Sequence, residues 1–232
     1  MKYTTITFDV GGVLMSMDRE CVAREYIALA KARGIALDFD ATLRLYSTLD
    51  DEIPARARMA PPLSLDARVS ENFWKTLFAD GWMRLGLPQD NAVVNRMYTM
   101  FARGDFNRLF DDVRPALDAL KQRGRTLGVV SNFTANCGQV LQTLGIANYF
   151  SFLVVSAMVR VEKPDRGIFD HATRVAQKSL NDLVHVGDGT RNDVDGARGA
   201  GWNAILLDRD NWYPDYKVVP RVRRLTELID LV

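Results

Sequence analysis

From Val113 onward one pattern recurs: an amphipathic helical stretch stops at or near a glycine, and a short apolar run follows. Val113, Leu117 and Leu120 share a helical face that stops near Gly124, and LGVVSN (127–132) follows. Val140, Leu141 and Leu144 share a face stopping at Gly145, before FLVV (152–155). Ile168, Ala172 and Val175 make a third face, before LVHVGD (183–188); a short helix near 192–199 then precedes NAILL (203–207). Glycine just past a helix is the expected left-handed cap. Apolar runs without alternation are strands covered on both faces. Strands separated by single helices require right-handed crossovers, hence a parallel sheet. The N-terminal stretch Thr4 to Val10 adds a strand, with Ile6, Phe8 and Val10 on one face and Gly11-Gly12 at its end. The expected fold is α/β: a doubly wound, Rossmann-like parallel sheet.

Residues 16–110 read differently. Val22, Tyr26 and Leu29 lie on one helical face ending at Gly34, with Asp18 as the expected N-cap. Leu65, Val69, Phe73 and Leu77 form a second face, and Val93, Met97 and Phe101 a third that ends at Gly104. IPARARMAPPLS (53–64) reads as a loop or helix breaker. The expected organisation is a core of 1–15 and 111–232, with a helical domain, 16–110, inserted after the first strand.

Composition narrows the function. With 30 Lys plus Arg against 29 Asp plus Glu, the net charge is +1, which argues against coating nucleic acid or an acidic membrane. Two cysteines, Cys21 and Cys137, make no disulfide framework and fit a reducing cytoplasm. His171 and His185 are the only histidines, too few for the usual zinc site. The N-terminus lacks the apolar stretch of a secretory signal, and no run has the length of a membrane span.

In open parallel sheets ligands bind beyond the carboxyl ends of the strands. Four such ends carry polar groups: Asp9, Ser131-Asn132, Lys163 ahead of Pro164, and Gly187-Asp188 with Asn192 and Asp193 beyond. Asp9, Asp188 and Asp193 cannot crowd together uncompensated. A hard divalent cation removes that conflict, and Mg²⁺ suits few carboxylates plus water. A cation, a lysine and a hydroxyl make a donor-rich pocket suited to a phosphoryl group, which a carboxylate can attack.

The order and spacing of these residues resemble the haloacid dehalogenase-like superfamily. FDVGGVL (8–14), VVSNF (129–133), VEKPD (161–165) and HVGDGTRNDVDGARGAGW (185–202) are similar to its four motifs. The resemblance implies a contiguous helical cap at 16–110 and a Mg²⁺-dependent phosphatase acting on a small phosphorylated metabolite. Asp9 would be nucleophile and metal ligand, Asp188 the second carboxylate ligand, and Gly11 a ligand through its carbonyl. Asp193 would bind through the metal's water shell or orient Lys163. Ser131, the Asn132 backbone and Lys163 would hold the phosphoryl group. A cytoplasmic monomer or homodimer is expected.

One departure is chemical. The family's phosphatases usually carry an acid/base aspartate two residues after the nucleophile, and here that residue is Gly11. A slow phosphatase, an acid supplied by the cap, and a silent binding protein all follow from it. Phosphonate hydrolysis would need a cap lysine, of which there are only Lys31 and Lys75; the dehalogenases typically place a tyrosine where Gly11 stands. Elsewhere ordinary roles are expected. His185 is read as a hydrogen-bonded core histidine and Cys137 as packing. Arg221, Arg223 and Arg224 are read as a solvated helix face, and Arg56 and Arg58 as a wet loop. Most of Phe73, Trp74, Phe78, Trp82, Met97 and Met100 are expected in a core.

Overall fold

The computed structural model describes residues 3–232. Two strands come first, β1 (Thr5–Phe8) and β2 (Met15–Met17), then four helices: α1 (Arg19–Lys31), α2 (Phe39–Met59), α3 (Ala67–Arg84) and α4 (Asn91–Arg103). After β3 (Asn107–Leu109), helices and strands alternate: α5 (Val113–Gln122), β4 (Thr126–Ser131), α6 (Cys137–Thr143), β5 (Phe152–Val155), α7 (Ser156–Val159) and α8 (Arg166–Ala176). The last elements are β6 (Leu183–Gly187), α9 (Gly196–Gly199), β7 (Asn203–Leu207) and β8 (Arg221–Val222). The chain forms two compact units, one running to Ser16 and resuming at Leu109–Val232, the other Met17–Arg108. The short strands β2 and β3 pair with each other.

The first unit holds a six-stranded sheet ordered β5-β4-β1-β6-β7-β8, every pair parallel. β1 lies between β4 and β6, with Phe8 beside Val129 and Val186. The carboxyl ends of these three strands therefore reach one edge, where the chain order switches direction across the sheet. One face packs Ile6 and Phe8 with Leu117, Leu120, Leu141 and Leu228. The other packs Val130 and Val154 with Ile168, Phe169, Val194 and Trp202. Burial on both faces is why the strands read as apolar runs. Each fully buried large side chain contributes about 1.5–3 kcal/mol. The α8 face ends sooner than its periodicity predicts: Ile168 and Ala172 are buried, but Val175 is 44% exposed, one residue before the helix ends. The helix expected near 192–199 begins as a wide π turn at Thr190–Asp195 and continues as α9.

In the second unit, an aspartate side chain caps each helix. Asp18, Asp38, Asp66 and Asp90 accept from the amides of Cys21, Ala41, Arg68 and Ala92. Such caps are each worth about 0.5–2 kcal/mol. α4 ends at Gly104 with φ 90°, as the glycine stop requires. The core gathers Tyr26, Tyr46, Leu49, Leu77, Phe78, Trp82, Met97 and Phe106. The Tyr26 and Trp82 rings stack with centroids 6.2 Å apart.

The structure corrects four expectations. Residues 53–59 are not a breaker, because α2 runs through Pro54 to Met59. Proline deprives the helix of one bond. Leu49 in the core on one side of it, and the Arg56 ion pairs with Glu52 and Asp80 on the other, hold the helix through that position. Arg56 is thus a half-buried bridge from α2 to α3 and not a wet loop residue. The α3 face is also rotated: Ser70, Leu77, Phe78 and Trp82 are buried, while Val69, Phe73 and Trp74 are half-buried. Met59, Val69, Phe73 and Leu77 line an apolar groove of about 520 Å³. Finally, Arg221 is no helix-face residue. It lies in β8 and pairs with Asp208 at 2.8 Å.

Candidate functional site

The backbone amide of Asp9 donates to the Val186 carbonyl at 3.0 Å, fixing the residue at the end of β1 against β6. Asp9 Oδ1 lies 2.9 Å from Lys163 Nζ. That ammonium is almost wholly buried, 1% exposed, and also donates to Asp193 Oδ1 at 2.5 Å and to the Val130 carbonyl at 3.1 Å. Two hydrogen bonds and the ion pair to Asp9 surround the ammonium. Burial alone would lower the Lys163 pKa, but Asp9 and Asp193 outweigh it and hold it above the ordinary value.

The backbone of Lys163 is fixed just as closely. Asn132 Oδ1 accepts from its amide at 2.7 Å, and Asn132 Nδ2 donates to its carbonyl at 2.9 Å. This reciprocal pair ties the loop after β4 to the cis Lys163-Pro164 peptide. Ser131 closes β4, 1% exposed, directly after the residue whose carbonyl Lys163 engages.

Asp193 is held on every side. Lys163 and His185 Nε2, at 3.1 Å, meet its Oδ1, and the Gly189 amide donates to Oδ2 at 2.8 Å. Burial would raise its pKa, yet the Lys163 charge and the His185 hydrogen bond keep it below the usual carboxylate range. A β-carbon at Gly187 would overlap the Asp193 side chain, so the close approach requires glycine there. His185 is fully buried, which depresses its pKa below the ordinary value. A neutral ring with Nε2–H facing Asp193 accepts at Nδ1 from Thr7 Oγ1, 2.9 Å away. His185 is therefore the hydrogen-bonded core residue expected from sequence. Its partner, Asp193, was not foreseen. Thr7 and His185 are register partners, and two polar residues inside apolar strands were the available signal.

Asp188 stands against the turn after β1. Gly12 has φ 72°, and a β-carbon on it would overlap the Asp188 carboxylate. One carboxylate oxygen each from Asp9, Asp188 and Asp193 lie within 4.8 Å of one another. Burial, and then the charges of Asp9 and Asp193, push the Asp188 pKa up to about 7. Three carboxylates face the single ammonium of Lys163, and the conflict falls on Asp188, which keeps its proton far above the ordinary carboxylate range. That is the donor set and charge imbalance a hard divalent cation satisfies. A recess of about 300 Å³ opens beside Asp188, lined also by Gly12, Ser16, Phe110, Arg209 and Trp212.

An aspartate whose folded pKa lies above its ordinary value of 3.8 loses stability for the fold as pH rises from there to about 7. With a chelator present, Asp188→Asn should therefore raise the urea midpoint at pH 8, and the gain should shrink steadily toward pH 4. A lower midpoint for the variant at pH 8 would contradict the crowding of charge described here.

Gly11 is exposed, and no atom lies within 4 Å of where its β-carbon would stand. Cys137 is buried at the start of α6, where burial and then the charge of Asp9 push its thiol up to about 12, so it packs as a thiol. Among the described residues no helix is long and apolar enough to cross a membrane.

A family model described as haloacid dehalogenase-like hydrolase matches residues 3–201. The Haloacid dehalogenase-like hydrolase domain-containing protein 3 of Xenopus laevis is 29% identical over 211 residues, covering 89% of this chain and 85% of that protein. The Glyceraldehyde 3-phosphate phosphatase of Methanopyrus kandleri is 32% identical over 152 residues, 61% of this chain and 62% of its own length. Among solved structures, the HAD-hydrolase YfnB of Bacillus subtilis bound to magnesium superposes with a TM-score of 0.66, at 22% identity, covering 100% of this chain and 99% of that one.

Proposed function

The chain belongs to the haloacid dehalogenase-like hydrolases, and on that premise we propose that it is a Mg²⁺-dependent phosphatase acting on a small phosphorylated metabolite. The observation that carries this reading is the Asp9–Lys163–Asp193 chain of contacts with Asp188 beside it. It joins an attacking carboxylate, a buried ammonium and a cluster suited to a divalent cation.

In this reading Asp9 attacks phosphorus, forming the carboxylate O–P bond as the bond to the leaving-group oxygen breaks. Water then cleaves the aspartyl-phosphate and regenerates Asp9. Lys163 offsets the charge of Asp9 and of the phosphoryl oxygens, and Asp193 keeps that ammonium charged and aimed. Ser131 and the Asn132 amide donate to the phosphoryl oxygens. Asp9 and Asp188, with the Gly11 carbonyl and Asp193 at longer reach, would hold Mg²⁺, which supplies charge neutralisation to the transferring phosphoryl group. The helical unit acts as the cap that excludes water and sets specificity. With Gly11 in place of a carboxylate, turnover favours leaving groups that depart without a proton.

Phosphate release from an activated aryl phosphate, with and without EDTA and in Asp9→Asn, tests the reading. Both treatments should remove essentially all activity. A rate that survives the chelator and the substitution rejects the mechanism. A broad phosphate-ester panel then identifies the leaving group, and binding without turnover across it would favour the silent, regulatory alternative.

A further inference from the structure

The turn that follows Asp9 is tied down from within and from outside. Within it, the Leu14 and Met15 amides donate to the Val10 carbonyl at 2.9 and 3.2 Å, and the Gly12 amide donates to the Met15 carbonyl at 2.9 Å. The carbonyls of Gly12 and Val13 are held from outside the turn. Arg209, in the loop after β7, reaches both, with Nε 3.2 Å from the Gly12 oxygen and Nη2 2.8 Å from the Val13 oxygen. Its third arm, Nη1, meets Asp112 Oδ2 at 2.9 Å, and the guanidinium lies 4.0 Å over the Phe110 ring. Asp112 is 2% exposed, and the same oxygen accepts the Leu225 amide at 2.7 Å. One planar fork is thus fixed on its face and on three edges.

We propose that Arg209 is a positioning residue for the reaction at Asp9. The inference rests on the phosphatase reading above. Gly12 is the contact through which it acts, because this glycine lies in van der Waals reach of Asp188 while its carbonyl is held by Arg209. A turn free to shift would move its Gly12 wall relative to the Asp188 carboxylate, and with it the backbone immediately after the nucleophile. Misplacement of reacting groups by about 1 Å costs about 10²-fold in rate. Lysine cannot replace the fork, since a single ammonium does not present two divergent donors to adjacent carbonyls while facing Asp112.

Arg209→Ala alone would strand the buried Asp112 charge, so the informative variant is Arg209→Ala/Asp112→Asn, with Arg209→Lys beside it. Three measurements are made: kcat and KM for an aryl phosphate with Mg²⁺, hydrogen exchange at the amides of Gly12, Leu14 and Met15, and rescue by added guanidinium against methylammonium. The double variant should lose about 10²-fold in kcat with KM little changed. The three amides should exchange at least about tenfold faster. Guanidinium should restore part of the rate and methylammonium none, and Arg209→Lys should resemble the double variant. Unchanged exchange overturns the proposal, as does faster exchange with unchanged kcat, or a loss confined to KM. A parent protein without phosphatase activity counts against the functional reading alone; the exchange measurement then decides whether Arg209 fixes the turn.

Discussion

Replacing Lys163 with methionine is expected to destabilise the α/β unit by about 3–5 kcal/mol, the usual cost of leaving a buried charge without its partner. The side chain is 1% exposed, donates to Asp193 and the Val130 carbonyl, and lies 2.9 Å from Asp9. Without it Asp9, Asp188 and Asp193 crowd together with only neutral donors. The sign with pH is fixed by Asp193. Its folded pKa is depressed, so its contribution is present above the ordinary carboxylate pKa and lost as pH falls through the folded value. In the variant that depression disappears. The loss should therefore be full at pH 7.5 and smaller only below the ordinary value of 3.8, near pH 2, where the folded Asp193 begins to take up its proton. Urea melts at the two pH values measure it, and a cost below about 1 kcal/mol at pH 7.5 would mean that solvent, not Lys163, compensates the cluster. Phosphate release should fall by about 10²–10³-fold, as when a preorganised donor to developing charge is removed.

The opposite effect is expected at Gly11. Introducing aspartate should accelerate hydrolysis of esters with poor leaving groups by about 10²–10⁴-fold, the usual contribution of a general acid and base. The substitution is sterically open: nothing lies within 4 Å of the new β-carbon, and Gly11 is not among the residues with positive φ. Activated aryl phosphates, whose leaving groups need no proton, should gain far less. An equal gain for both ester types would point to the metal site instead, and no gain for either would place the limiting step in the helical unit.

The core fold was legible because burial on both sheet faces leaves its mark as apolar runs, and glycine stops mark helix ends. The four polar strand ends could be read for the same reason, since parallel strands must deliver their carboxyl ends to one edge. The structure brings Asp9, Lys163, Asp188 and Asp193 together there. What escaped was set by tertiary partners. The Arg56 lattice carries α2 past Pro54, and the core contacts of α3 select a face that its apolar residues do not mark. Arg209 and Asp112 sit 97 positions apart in loops, where nothing periodic singles them out. The one hint was a fifth strand end, Asp208-Arg209 after β7, polar like the other four.

Trapping the intermediate tests the central claim most directly. Protein turning over an aryl phosphate with Mg²⁺ is quenched in acid, and the phosphorylated peptide is located by mass spectrometry. The account predicts an acid-stable, hydroxylamine-labile phosphoryl group on Asp9, absent with chelator. Steady turnover with the label on Ser131, or with none on Asp9 in single-turnover quenches, would contradict it.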